Sequence, residues 1–186
     1  VAIEMYWQSL MALNSSADSR FCVGARKTYQ DSSIYLSWQA EWQDNAQIGL
    51  LYQYGTFGYK TFLKPRNFIA QRISSTEMML GPVKLATPAA HTFNNPYSIY
   101  VFAVNQAGSA HANRALMRLK WLRLTKDGTE VRRYLPVRRN SDFVAGLYDL
   151  VEGAFFPSAS STPLVAGPVA SSSIDPFEFS SKPAGD

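Results

Sequence analysis

Few residues of this 186-residue chain are placed to do covalent chemistry. Hydrolysis of a glycosidic bond needs two carboxylates flanking it, one as nucleophile or base and one as acid. The nearest pair is Glu41 with Asp44, beside an expected hairpin loop, and this spacing does not put both on one face of a strand. His91 and His111 both fall in expected loops, with no cysteine or carboxylate cluster around them at metal-ligand spacing. No aspartate cluster comparable to a calcium loop is present. A glycine-rich phosphate loop and a defensible Ser-His-Asp order are also missing. The expectation is no catalytic residue, no metal and no cofactor. The single cysteine, Cys22, can form no intrachain disulfide and reads as a small buried hydrophobe.

Binding is the better-supported class. Aromatic faces stack on sugar rings while nearby amides bond hydroxyls, and Trp42, Tyr54 and Tyr59 stand near expected loops. The competing reading places each of the three in the core or at its rim.

The elements that would carry such residues are strands. The stretch Arg114 to Pro157 shows it best: Ala115, Met117, Leu119 and Trp121 alternate with Arg118 and Lys120, as on a sheet with one covered face. Asp127-Gly128 suits the positive φ angles of a tight hairpin turn, and Glu130 to Val137 returns. Pro136 offers no N–H to a ladder, so its surroundings belong at an edge, a strand end or a bulge. Earlier, Ile3, Met5 and Trp7 alternate with Glu4, Tyr6 and Gln8; Phe21, Val23 and Ala25 share a face; Ile34, Leu36 and Trp38 form a third strand. Gln43 to Asn45 reads as a hairpin loop before a strand carrying Ile48, Leu50 and Tyr52. Further strands are expected around Phe68 to Ile73 and Met78 to Ala86, the latter interrupted at Gly81-Pro82. Tyr97 to Asn105, apolar on both sides, predicts a strand between two covered layers. No capped amphipathic helix and no internal repeat is visible. About ten short strands at regular spacing predict an all-β chain folded as a two-sheet antiparallel sandwich.

Composition agrees. Apolar residues make up 46%, charged residues 17% and aromatics 13%, which is globular and suited to pleated sheets. A net charge of +4 permits weak attraction to acidic surfaces, but Arg118, Lys120, Arg123, Arg132, Arg133, Arg138 and Arg139 read as solvated strand faces that discourage edge pairing. No nucleic-acid partner is expected. No apolar run approaches a membrane span and no leader-like segment opens the chain, so membrane insertion is not expected either.

Certain pieces of the closing stretch go further than pattern. Tyr134-Leu135-Pro136-Val137, Asn140-Ser141-Asp142, Gly146-Leu147-Tyr148-Asp149 and Phe155-Phe156-Pro157, followed by Ala166-Gly167-Pro168, resemble the closing segment of laminin-G-like domains in the concanavalin A-like lectin/glucanase superfamily. Tyr97 to Ala103 and Phe21 to Ala25 resemble earlier strands of the same family. The resemblance implies a jelly-roll sandwich over residues 1–168, followed by an extended tail over 169–186 with Phe177 and Phe179 as its large anchors. It also implies a setting at the cell surface or on a virion. Tyr134, Pro136, Asp142, Gly146, Tyr148 and Asp149 are expected to be structural, with Gly146 relieving crowding before Tyr148 and Asp149 accepting N–H bonds in the following turn.

Family members carry a further strand ahead of the position of Val1. The resemblance therefore implies an open sheet edge beside Val1 to Gln8, completed by an upstream segment or another chain. Two functions follow as expectations. One is a non-catalytic module that binds glycans or mediates attachment. The other is a structural module that packs against neighbouring subunits through an open edge and the tail.

Overall fold

A computed structural model describes residues 1–10, 19–27, 34–40, 48–63, 67–89 and 95–167. Among them there is no helix, and fifteen strands form two large, mostly antiparallel sheets consistent with a β-sandwich. In chain order these are β1 (Ala2–Ser9), β2 (Ser19–Arg26), β3 (Ile34–Ala40), β4 (Ile48–Tyr54), β5 (Phe57–Leu63), β6 (Ile69–Ile73), β7 (Met78–Leu80) and β8 (Val83–Ala86). There follow β9 (Tyr100–Val101), β10 (Asn105–Gln106), β11 (Ser109–Ala110), β12 (Met117–Lys126), β13 (Thr129–Arg138), β14 (Ala145–Asp149) and β15 (Ala154–Pro157). The eight-stranded sheet runs β15-β14-β13-β12-β1-β6-β7-β8 and the seven-stranded sheet runs β11-β10-β2-β3-β4-β5, with β9 beside β2.

Alternation builds the core. Ile3, Met5 and Trp7 of β1 are fully buried, meeting Leu119, Leu122 and Leu124 of β12 and Ile73 of β6 on one layer. Leu36 of β3 and Leu50, Tyr52 and Tyr54 of β4 face them from the other. Burial of these side chains is the main stabilising term, at about 1.5–3 kcal/mol for each large apolar group. Two polar links lie within the core: Trp7 Nε1 donates to Gln71 Oε1 at 2.6 Å, and the Tyr52 hydroxyl donates to the Met79 carbonyl at 2.9 Å. Burial pushes the Tyr52 hydroxyl far up, and Gln71 offsets part of this as a hydrogen-bonding neighbour although its Nε2 has no partner at ordinary distance. Cys22 is buried, and burial raises its thiol well above the usual range.

Several expectations change. The edge beside β1 is not open, because β1 pairs with β12 on one side and with β6 on the other. Any segment or chain that extends this sheet must therefore add at β8 or β15. Trp121 does not share a face with Leu119: Tyr6 sits opposite Trp121 but Trp7 sits opposite Leu119, so Lys120 is an extra residue in β12 and the alternation reverses there. The run Tyr97 to Asn105 is not one strand. It makes a two-residue strand with β2, then bends at Phe102 (φ 65°), and Asn105 locks the bend by donating to the Ser98 carbonyl and accepting from Gly108 N–H. The face shared by Phe21, Val23 and Ala25 is broken by a register shift between Phe21 and Val23, so Phe21 leaves the main core for the outer side of its sheet. Gln43 to Asn45 lies outside the described residues.

Candidate ligand face

The outer faces of the two sheets differ in kind. On the seven-stranded sheet, Phe21, Tyr35 and Val104 form a small buried cluster. The Arg26 guanidinium lies 4.7 Å from the centre of the Phe21 ring and bonds Gln106 Oε1 through Nε and Nη2 at 3.2 and 2.6 Å. His111 packs edge-on against Phe21 at 4.7 Å, and its Nδ1 accepts the Asn113 N–H. Burial and, second, the Arg26 charge hold the His111 imidazole below its usual pKa. The segment that covers this face is tied to β2 where Phe21 N–H donates to Asn113 and Ala115 N–H donates back to Phe21.

On the eight-stranded sheet the alternate residues of β1 and its neighbours face outward. Register places Ala70, Tyr6 and Trp121 in one row across β6, β1 and β12. One step beyond the Leu122–Tyr134 pair, the row continues through Leu135, opposite Tyr148, which is opposite Phe155. Strands lie about 4.8 Å apart, so from Tyr6 to Phe155 the row crosses four strand steps, roughly 19 Å. Its rings are fixed by neighbours: Tyr6 packs on Phe68 at 5.4 Å and on Trp121 at 6.4 Å, and the Lys120 amine lies 5.1 Å from the Phe68 ring. At the far end the Arg139 guanidinium lies 4.8 Å over the Phe155 ring. Tyr148 is 36% exposed, whereas Trp121 is buried at 8%.

A row of charges runs beside the aromatic one. Arg123 binds Glu4 at 2.5 Å and approaches Glu130 at 4.0 Å, and Arg133 binds Glu130 at 2.5 Å. Partly exposed pairs like these add little stability, about 0–1 kcal/mol each. They do hold planar donors and acceptors at fixed positions next to the rings, as recognition of hydroxyl groups requires.

Of the three residues expected to bind ligand, two are among the described residues. Tyr54 is 5% exposed within the core and Tyr59 is partly buried against the core; Trp42 lies outside the described residues. Glu41, Asp44 and His91 also lie outside them. Among the described residues no group of three or more His, Cys, Asp or Glu could hold a metal ion, and no helix is long and apolar enough to cross a membrane.

The motif residues of the closing stretch build the end of the row. A side chain on Gly146 would place its Cβ 2.5 Å from the Phe155 ring and 2.6 Å from the Phe156 carbonyl, so the crowding there comes from β15 lying across the glycine. Asp149 is fully buried; its Oδ1 accepts N–H bonds from Arg133 and Val151, and its Oδ2 lies 3.4 Å from Arg132 Nε. Pro136 sits past the last β12–β13 pair, where its missing N–H leaves no gap in that ladder. Tyr134 packs against the core and meets Phe156 edge-on at 5.9 Å. Asp142 accepts two bonds from Arg139, which hold its carboxyl below the usual range.

The outward ring of Tyr6 was legible as alternation but not as part of a row, since a row depends on register between strands. Trp121 was hidden by the reversal at Lys120. No family model, curated protein or solved structure matches this chain.

Proposed function

We propose that this chain is a non-catalytic attachment module that binds glycans on the outer face of its eight-stranded sheet. The observation that carries the reading is the cross-strand row Tyr6, Trp121, Tyr148 and Phe155, flanked by the Glu4–Arg123 and Glu130–Arg133 pairs. Ring faces shed water on an apolar sugar face while the charged pairs bond hydroxyls, and both lie on rigid strands. The resemblance of the closing segment to laminin-G-like jelly rolls supports the reading and suggests a cell-surface or virion setting. A glycan-array screen tests it: saturable binding that weakens roughly tenfold in Tyr6→Ala and Tyr148→Ala is the expected result. Binding that is absent, or that survives both substitutions unchanged, contradicts it.

A second reading, packing against neighbouring subunits, is favoured by one observation. Large apolar side chains are exposed around the outermost strand β15 and its neighbour, among them Leu150 and Val151 at 47% each and Phe156 at 39%. It predicts that mixing with a neighbouring subunit protects β15 amides from hydrogen exchange. Unchanged exchange counts against it. Phe177 and Phe179, expected anchors of such a contact, lie outside the described residues.

A further inference from the structure

The segment that covers the outer face of the seven-stranded sheet is lightly built. Residues 105–115 lie over Phe21, Tyr35 and Val104, yet β10 and β11 are two residues each and residues 106–110 are exposed. Few backbone bonds close it. Ala107 N–H donates to the Arg26 carbonyl at 3.1 Å and His111 N–H to the Val104 carbonyl at 2.9 Å. Phe21 N–H donates to the Asn113 carbonyl at 2.9 Å, and Ala115 N–H to the Phe21 carbonyl at 3.0 Å. Phe102 and Ala107, at the start of the segment, take φ of 65° and 51°, a left-handed conformation disfavoured for any residue with a side chain. Short elements, exposed bonds and local strain mark the parts of a fold that open first.

Within the segment, His111 is the side chain whose charge changes near neutral pH. Its Nδ1 accepts the Asn113 N–H at 3.0 Å, and Asn113 carries the carbonyl that receives Phe21 N–H. An imidazolium is protonated on both nitrogens and accepts nothing, so protonation removes the bond that shapes residues 111–113. It also adds a second cation at the Phe21 ring, where the Arg26 guanidinium and the His111 ring each lie 4.7 Å from the centre. The neighbouring groups supply no counter-charge. Arg20 on β2 and Arg114 on the segment are cations, while Tyr35, Tyr97 and Tyr100 bring only hydroxyls. Among the described residues, β2, β3, β4, β5 and residues 95–116 contain no aspartate or glutamate; Asp18 and Asp31, before and after β2 in the chain, lie outside them.

We propose that residues 105–115 form an acid-opened cover: protonation of His111 releases them from β2 and exposes Phe21, Tyr35 and Val104 beside the Arg26 guanidinium. Burial and the Arg26 charge hold the imidazole below its usual pKa in the closed form, so the closed form resists a proton that the open form accepts. Opening is therefore least above about pH 6.5 and grows as pH falls through the lower closed-state value. In acid the chain presents an apolar face that it hides at neutral pH. The cover lies on the sheet opposite the aromatic row, so this inference stands apart from glycan binding.

Amide hydrogen exchange read by NMR on the full chain, from about pH 7.5 down to about pH 5, tests this across the range in which histidine titrates. After correction for intrinsic exchange, protection of the Phe21, His111 and Ala115 amides should fall at least about threefold. Met5 and Leu122, in central strands of the other sheet, should keep theirs. His111→Phe keeps a ring against Phe21 but takes up no proton, so its protection should not change with pH. In Arg26→Met the fall should be smaller than in the wild type, because burial alone remains. Three results overturn the proposal: no fall at the three amides, an equal fall at Met5 and Leu122, or the same fall in His111→Phe. The wild-type profile alone can overturn it, so the test does not depend on how well either variant folds.

Discussion

The two sheets treat their outer faces in opposite ways. The seven-stranded sheet buries Phe21, Tyr35 and Val104 and the guanidinium of Arg26 under the segment that carries His111. The eight-stranded sheet carries on its outer face aromatic rings set in register with ion pairs beside them, from Trp121 at 8% exposed to Tyr148 at 36%. Similar residue types are therefore placed differently: on one sheet aromatics and an arginine are sealed under a chain segment, and on the other they line up across the strands, where Trp121 is buried and Tyr148 reaches solvent. The proposed function rests on this row, in which Tyr148 is the most exposed ring.

Substitutions on the two faces should separate this contrast. Phe21→Ala, in the covered face, is expected to cost about 3–5 kcal/mol in a denaturant titration. A cost below 1 kcal/mol would mean that the cover is loose. Next, Gly146→Ala should cost roughly 1–3 kcal/mol, because the added carbon meets the Phe156 carbonyl as well as a ring. The same change pushes Phe155 out of line and should weaken glycan binding too.

A smaller effect depends on pH. The folded chain holds His111 neutral, by burial first and by the Arg26 charge second. The unfolded chain binds a proton near pH 6.5, so this group's contribution is complete above that pH and is lost as pH falls from 6.5 through the lower folded value. The urea midpoint should decline over this window, and the decline should shrink in His111→Phe. Arg26→Met should raise the His111 pKa only part of the way, as burial remains; an NMR titration reads it directly.

Smallest in stability is Tyr148→Ser on the open face, expected to stay within about 0.5 kcal/mol of the parent. Its effect on binding should be among the largest. A large stability loss would show that Tyr148 belongs to the core instead.

Much of the fold was legible because burial follows a period of two. Ile3, Met5 and Trp7 fell on the covered face as their spacing required, and Gly81-Pro82 broke the strand that it interrupts. The roles of Asp149 and Gly146 also followed from residue type, one as an acceptor in a turn and the other by having no side chain. Local irregularities were not legible. The extra residue at Lys120 turns Trp121 outward, the bend at Phe102 divides an apolar run, and neither is encoded by alternation. The cross-strand row was missed for a related reason. Loop-side aromatics such as Tyr54 look available in a sequence, but β4 lies between β3 and β5 and turns Tyr54 into the core. The row on the other sheet exists only once five strands take up their registers.

The central claim is that ligand binds the outer face of the eight-stranded sheet. Its most direct test is backbone amide NMR during titration with the strongest array hit. Shifts concentrated on Tyr6, Trp121, Tyr148, Phe155 and their strand neighbours are the predicted result. Shifts concentrated around Tyr59 or around Phe21 and His111, with the row unmoved, would contradict it.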